Sequence, residues 1–329
     1  MNGLRKSGGR LRRGLVLGAG GLVGGAWAAG ALRAVEEIEG FDPRTAEVLV
    51  GTSAGAVMAA VLAAGVSTRT LVNHQRGVMA PGDPEIHWRY EQAAEGGLPP
   101  EPKLAIGSPA LLWNSLKRLP RHALSVFYAL LPEGRGSMEG IGVLVDAVDD
   151  ALGRDRSWPD HPAFWVTALD YETGDRVVFG RRGAPKTTVR RAVMASCAIP
   201  AWFAPVRIGD HRYIDGGAYS ATSLDLLAGH GLDEVYVVAP LVSFRFDRPR
   251  ALMPWLERLW RRSVTRNVLR EAEMLRREGT RVVIIGPGPE DLAAMGANLM
   301  DPGRRVKVLE ISLRTSVEAL ANGRVKRVE

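Results

Sequence analysis

The sequence predicts an α/β protein in which helices surround a mostly parallel, mixed sheet. Two observations point to the parallel part. A short β-type run leads through glycines into a small-residue helix twice in the first 65 residues, and apolar β-type runs recur at 163–170, 233–239 and 281–285 between helical stretches. A third makes the sheet mixed: the runs 163–170 and 176–179 are joined by Tyr171-Glu172-Thr173-Gly174-Asp175, a hairpin connection.

The 329 residues, 46% of them hydrophobic, are enough for a sizeable core. The single cysteine, Cys197, excludes an internal disulfide framework and a Cys-cluster metal site, and fits a reducing compartment. No metal and no cofactor is expected. The net charge of +7 comes largely from Arg5, Lys6, Arg10, Arg12 and Arg13, which precede the first acidic residue, Glu36. The remainder is nearly balanced, so no nucleic-acid partner is expected, and residues 1–13 read as a basic flexible tail able to meet an anionic membrane surface. The uncharged run 14–32 that follows has signal-peptide polarity. Its seven glycines and sparse Leu/Ile/Val argue against that reading and against a membrane span, which leaves a cytoplasmic protein.

Residues 15–17 read as the first strand, followed by Gly18-Ala19-Gly20-Gly21-Leu22-Val23-Gly24-Gly25 and a helix over 26–39. A glycine loop at a helix N-terminus presents unobstructed N–H groups to an anion, either a nucleotide phosphate or the oxyanion of acyl transfer. The nucleotide reading fails on the residues. No tyrosine has a lysine four positions on, Val23 stands where a third dinucleotide-loop glycine belongs, and no P-loop lysine follows.

The second unit, 47–60, contains Gly51-Thr52-Ser53-Ala54-Gly55 between a β-type run at 48–50 and a helix from Ala54. This is the context of a nucleophile elbow: Ser53 stands at the tip, and Gly51 and Gly55 leave room for a sharp strand-to-helix turn. The bland alternative is a tight turn whose serine caps the next helix.

From 81 to 139 strand signals vanish and amphipathic runs appear at 109–116 and 122–131, read either as a helical cap able to contact acyl chains or a membrane or as a pair of helices packed on the core. Helices are predicted over 138–152 and 187–195. Ala195-Ser196-Cys197-Ala198-Ile199-Pro200 then leads to Tyr213-Ile214-Asp215-Gly216-Gly217. A long Arg/Glu-rich helix over 254–278 reads as having a solvated charged face, and the segment from 291 carries no chemistry of its own. Six histidines are present, none in a loop after the last strand, where a Ser-Asp-His triad would need one. Asp215 is the economical partner for Ser53, provided burial raises its pKa enough to make it a base.

The glycine loop, the Gly-Thr-Ser-Ala-Gly elbow, Ala-Ser-X-Ala-X-Pro and Asp-Gly-Gly resemble, in order and spacing, the patatin-like phospholipase family over about 14–239. That resemblance implies a three-layer α/β/α sandwich, a Ser–Asp dyad and acyl hydrolysis of glycerolipids without a metal. It matches Ser53 to the nucleophile, Asp215 to the base, and Gly20 and Gly21 to the oxyanion loop. Val23 stands where members commonly carry Arg or Lys, and Ala19 interrupts the glycine run. The expected organisation is a catalytic domain over 14–240 with the cap inserted at 81–139, and a helical extension over 241–329 packed on the core. The expected function is lipid ester hydrolysis; the alternatives are a lipid acyltransferase and a catalytically silent lipid-binding module.

Overall fold

The structure, a computed structural model, describes residues 11–87, 90, 107–117, 128–244 and 252–329. The chain opens with β1 (Arg13–Leu17), α1 (Gly21–Glu39), β2 (Val48–Thr52) and α2 (Ala54–Ala63), the two strand-glycine-helix units. Helices α3 (Thr68–Arg76), α4 (Pro109–Lys117) and α5 (Glu139–Ala151) follow. Next come the hairpin β3 (Phe164–Asp170) and β4 (Arg176–Phe179), helix α6 (Val189–Cys197), and a second hairpin of β5 (Val206–Ile208) and β6 (His211–Asp215). The last part supplies β7 (Glu234–Val238), α7 (Leu252–Arg277), β8 (Arg281–Ile285), α8 (Pro289–Met295), α9 (Arg305–Ala321) and β9 (Lys326–Val328).

All these strands join one sheet, in the order β5-β6-β3-β2-β1-β7-β8-β9, with β4 also on β3. Strands β3, β2, β1, β7 and β8 run parallel, while β4, β5, β6 and β9 are antiparallel additions. Every residue of β2, β3 and β7 is buried, as continuous apolar strands are when helices cover both faces. The period-two alternation separates the faces. Leu15, Leu17, Leu49, Val166 and Tyr236 pack with α1, α2, α5, α6 and α9, whereas Val16, Val50, Trp165, Val235 and Val237 pack with α7. The result is a three-layer α/β/α sandwich.

One edge of β3 positions the site. Strand β4 pairs with residues 166–169, so the other edge must serve both β2, along 164–167, and β6, along 168–170. The C-terminal ends of β2 and β6 therefore meet head to head, with Thr52 opposite Thr167 and Asp215 opposite Ala168. Two residues 162 positions apart in sequence, Ser53 and Asp215, are thereby brought side by side.

Several boundaries differ from the sequence reading. Helix α1 begins at Gly21 rather than Ala26, because the glycines let the first turn press against Pro240: a Cβ on Gly20 would lie 2.9 Å from that ring. Arg12 and Arg13, read from the sequence as the end of the flexible tail, are fixed. Arg12 pairs with Glu47 and Arg13 opens β1 and pairs with Glu234. The segment beyond 241 is more than helical, since β8 and β9 extend the sheet. Its helix α9 lies along α1, where a Cβ on Gly30 would be 2.7 Å from the Ser312 hydroxyl oxygen. The charged face expected of α7 is partly inward: Arg258 and Arg261 are buried, and Arg261 donates to the Pro240 carbonyl. In the cap, the helix expected over 109–116 is α4; residues 88–89, 91–106 and 118–127, with most of the second amphipathic run, lie outside the described residues, as do residues 1–10 of the tail.

Candidate active site

Strand β2 runs directly into Ser53, whose φ of 56° and ψ of −125° form a strained backbone for a residue with a side chain. The turn is enforced by close approach. A Cβ on Gly55 would lie 2.0 Å from the Leu17 carbonyl oxygen, and one on Gly51 would lie 2.6 Å from the Gly55 oxygen. Helix α2 then starts under the serine, and Ala56 N–H donates to the Ser53 carbonyl at 2.7 Å. The bland reading required the Ser53 side chain to cap α2, and it makes no such hydrogen bond.

Instead Ser53 and Asp215 line one cavity, and the Ser53 hydroxyl lies close enough to the Asp215 carboxylate to oppose the rise in its pKa. Asp215 is buried at the end of β6; its own N–H donates to Ala198 O at 2.9 Å, and Gly217 N–H donates to Oδ1 at 2.7 Å. Burial raises its pKa to about 6, against the opposing effect of the Ser53 hydroxyl and the Gly217 N–H. At neutral pH it is ionised yet basic enough to take a proton.

The glycine loop lies beside this pair. Of the neighbouring N–H groups, Gly18 donates to Val238 O, Ala19 to Ala221 O at 2.8 Å, Val23 to Leu299 O and Gly24 to Gly20 O, while that of Leu22 has no acceptor among the described residues. Among the described residues the N–H groups of Gly20 and Gly21 have no acceptor, and both residues line the cavity that Ser53 and Asp215 line. Gly21 has a φ of +62°, and a Cβ there would meet Leu299 O at 2.8 Å. The N-termini of α1 and α2 both point at this spot, so it favours developing negative charge. Val23 is fully buried in the core.

Two cavities meet at Ser53. One, of about 250 Å³, opens over Gly20, Gly21, Asp215, Tyr219, Trp260 and Asn267. The other, of about 90 Å³, is an apolar channel between α1, α2, α3 and α5, lined among others by Val57, Val61, Leu71, Ile141 and Leu144. Cys197 also lines it, buried, with its thiol pKa pushed up by desolvation.

The sequence model of the patatin-like phospholipase family matches residues 15–228. The chain belongs to that family. Its matched span runs from β1 through the glycine loop, elbow and Asp-Gly-Gly to the turn before β7, and lipid ester hydrolysis is the activity at family level. Among solved structures, VipD from Legionella pneumophila is similar over 97% of this chain and 68% of that one, at 15% identity and a TM-score of 0.42. The type III effector protein ExoU is similar over 97% of this chain and 54% of that one, at 18% identity and a TM-score of 0.38. No curated protein matches the chain in sequence.

Four residues of this patatin-like site were given no role there by the sequence. Ser196, in the last turn of α6, accepts the Ser53 N–H at 2.9 Å; the Ala-Ser-X-Ala-X-Pro pattern was the available signal. Glu271 of α7 gathers the loop after Asp215, and Leu299 and Met300 line the cavity, and neither carried a local signal. Asp170, Glu172 and His211 lie close enough to share a metal, but their donor atoms serve the hairpins. His211 Nδ1 pairs with Asp170, Asp170 accepts from the N–H groups of Glu172 and Thr173, and Glu172 pairs with Arg212. Among the described residues no helix is long and apolar enough to cross a membrane.

Proposed function

We propose that this protein hydrolyses carboxylic esters of lipids through an acyl-enzyme on Ser53. The Ser53 Oγ attacks the ester carbonyl carbon while Asp215 takes its proton, and the Gly20 and Gly21 N–H groups receive the oxyanion. Collapse breaks the bond to the alcohol oxygen, to which Asp215 returns the proton. Water then gives a proton to Asp215 and its hydroxide to the acyl carbon, and the free acid leaves as Ser53 regains its proton.

The observation that carries the reading is the Ser53 side chain set beside the buried Asp215 carboxylate at the mouth of an apolar channel, where burial raises that carboxylate's pKa to about 6. The channel suits the acyl chain and the larger cavity the alcohol. Peripheral contact with a lipid surface is supported by exposed Trp113 and Leu116 on α4 and by Trp255, Leu259 and Trp260 on α7, since Trp260 also lines the cavity over Ser53. The buried, lone Cys197 suits a reducing compartment such as the cytoplasm.

The test is labelling of the wild type, Ser53→Ala and Asp215→Asn by a fluorophosphonate, beside hydrolysis of a p-nitrophenyl ester and of lipid vesicles. Labelling and turnover by the wild type alone are expected. A folded wild type that binds vesicles but neither labels nor turns over would make the chain a silent lipid-binding module.

A further inference from the structure

The apolar channel ends in polar side chains. Val57 and Val61 line it one and two turns beyond Ser53 on α2, which at 1.5 Å per residue carries the channel about 12 Å along the helix axis. Helix α3 closes it with Thr70, Leu71, His74 and Gln75. Thr70 is occupied, bonding Asp83 at 2.6 Å. His74 Nδ1 and the Tyr90 hydroxyl share a hydrogen bond of 2.8 Å, and the Arg305 guanidinium lies 3.7 Å over the Tyr90 ring. Beyond this pair is a second, polar cavity bordered by Asp83, His87 and Arg305.

Gln75 differs from its neighbours. It is 94% buried, its exposure being 6%, and its side-chain oxygen is sealed from solvent with no hydrogen-bond partner among the described residues. A buried amide left unpaired in an apolar wall is unfavourable, and native structures avoid it unless a ligand or water completes it. A plain hydrocarbon chain filling the channel would leave the amide unsatisfied. A hydroxyl would satisfy it in either orientation of the amide, because a hydroxyl both donates and accepts.

We propose that Gln75 is the receptor for a hydroxyl group carried well along the acyl chain, so that esters of hydroxylated fatty acids are preferred over esters of plain chains. The inference rests on the acyl-hydrolase reading and gives its substrate class. The depth of Gln75 selects hydroxyls in the distal part of the chain over those next to the carbonyl, which would sit near Ser53.

The experiment compares esters of dodecanoic acid that are plain, hydroxylated beside the carbonyl, or hydroxylated near the far end of the chain. Each is tested on the wild type and on Gln75→Leu, or on Gln75→Met if the leucine variant does not accumulate folded. The same free acids are titrated against Ser53→Ala, with and without the Gln75 change, by displacement of a fluorescent fatty acid. The wild type is expected to favour the distal hydroxyl by about tenfold in kcat/KM and in binding, and the Gln75 variants to lose that preference. Turnover of all esters without preference would overturn the proposal and leave the hydrolase intact, a trapped water then completing Gln75. A preference in binding without any turnover would keep the subsite and overturn the hydrolase.

Discussion

The backbone N–H of Ser53 donates to the hydroxyl of Ser196 at 2.9 Å, both groups being buried, so the last turn of α6 holds the elbow from below. The bond steadies a backbone whose φ of 56° is otherwise disfavoured. Ser196→Ala keeps the packing and removes the acceptor, leaving a buried N–H unpaired at a cost of about 1–3 kcal/mol. Thermal denaturation should show that loss, and ester kinetics should show kcat lowered about tenfold with KM little changed. Loss of stability with unchanged kcat would make Ser196 structural only.

Asp215 sets the pH profile. A base must be deprotonated to act, so with a pKa of about 6 the rate constant should rise through pH 6 and level above pH 7. The stability effect has the opposite direction. The folded-state pKa lies above the ordinary 3.8, so the group's contribution is fully present below about pH 4 and is lost as pH rises through about 6. Keeping the buried carboxylate ionised then costs the fold about 3 kcal/mol. Asp215→Asn should therefore be inactive yet melt higher than the wild type at pH 8, with no such gain at pH 4. A variant that melts lower at both pH values would contradict the burial argument.

The elbow tolerates no side chain at Gly55, where a Cβ would fall 2.0 Å from backbone oxygen. Gly55→Ala should cost more than about 3 kcal/mol, because neither β1 nor α2 can withdraw from a sheet buried on both faces. Chemical denaturation would measure it; a folded, active variant would mean that the two elements separate easily.

Much of this was legible because it is local. The strand-glycine-helix units at β1 and β2, the hairpin of β3 and β4, and β8 follow from short-range pattern. The shared edge of β3 was not legible, since no periodicity tells that β2 and β6 occupy it in succession; only the complementarity of Ser53 and Asp215 hinted at their meeting. Helix α7 misled for a related reason. Its alternating Arg and Glu look solvated in sequence, but Arg261 is fully buried against the Pro240 carbonyl and Glu271 is half-buried, holding the loop after Asp215. A charge pattern records sign and spacing, and which side of the helix meets the sheet is decided by tertiary packing.

Glu271 gives the last prediction. Its carboxylate accepts from Ser220 Oγ at 2.6 Å, Thr222 Oγ1 at 2.8 Å and Leu224 N–H at 3.0 Å. Between the first two stands Ala221, whose carbonyl accepts the Ala19 N–H and so orients the glycine loop toward Ser53. Glu271 touches no reacting atom and acts as a positioning residue through that carbonyl. Glu271→Ala strands three donors and should cost about 3 kcal/mol. It should also lower kcat more than it raises KM, because a displaced Gly20 or Gly21 N–H weakens charge stabilisation in the transition state. Glu271→Gln keeps one acceptor oxygen but turns its amide protons toward a donor, so it should recover part of both losses. If Glu271→Ala melts lower while kcat stays at the wild-type value, the loop after Asp215 does not steer the glycine loop, and the link through Ala221 fails.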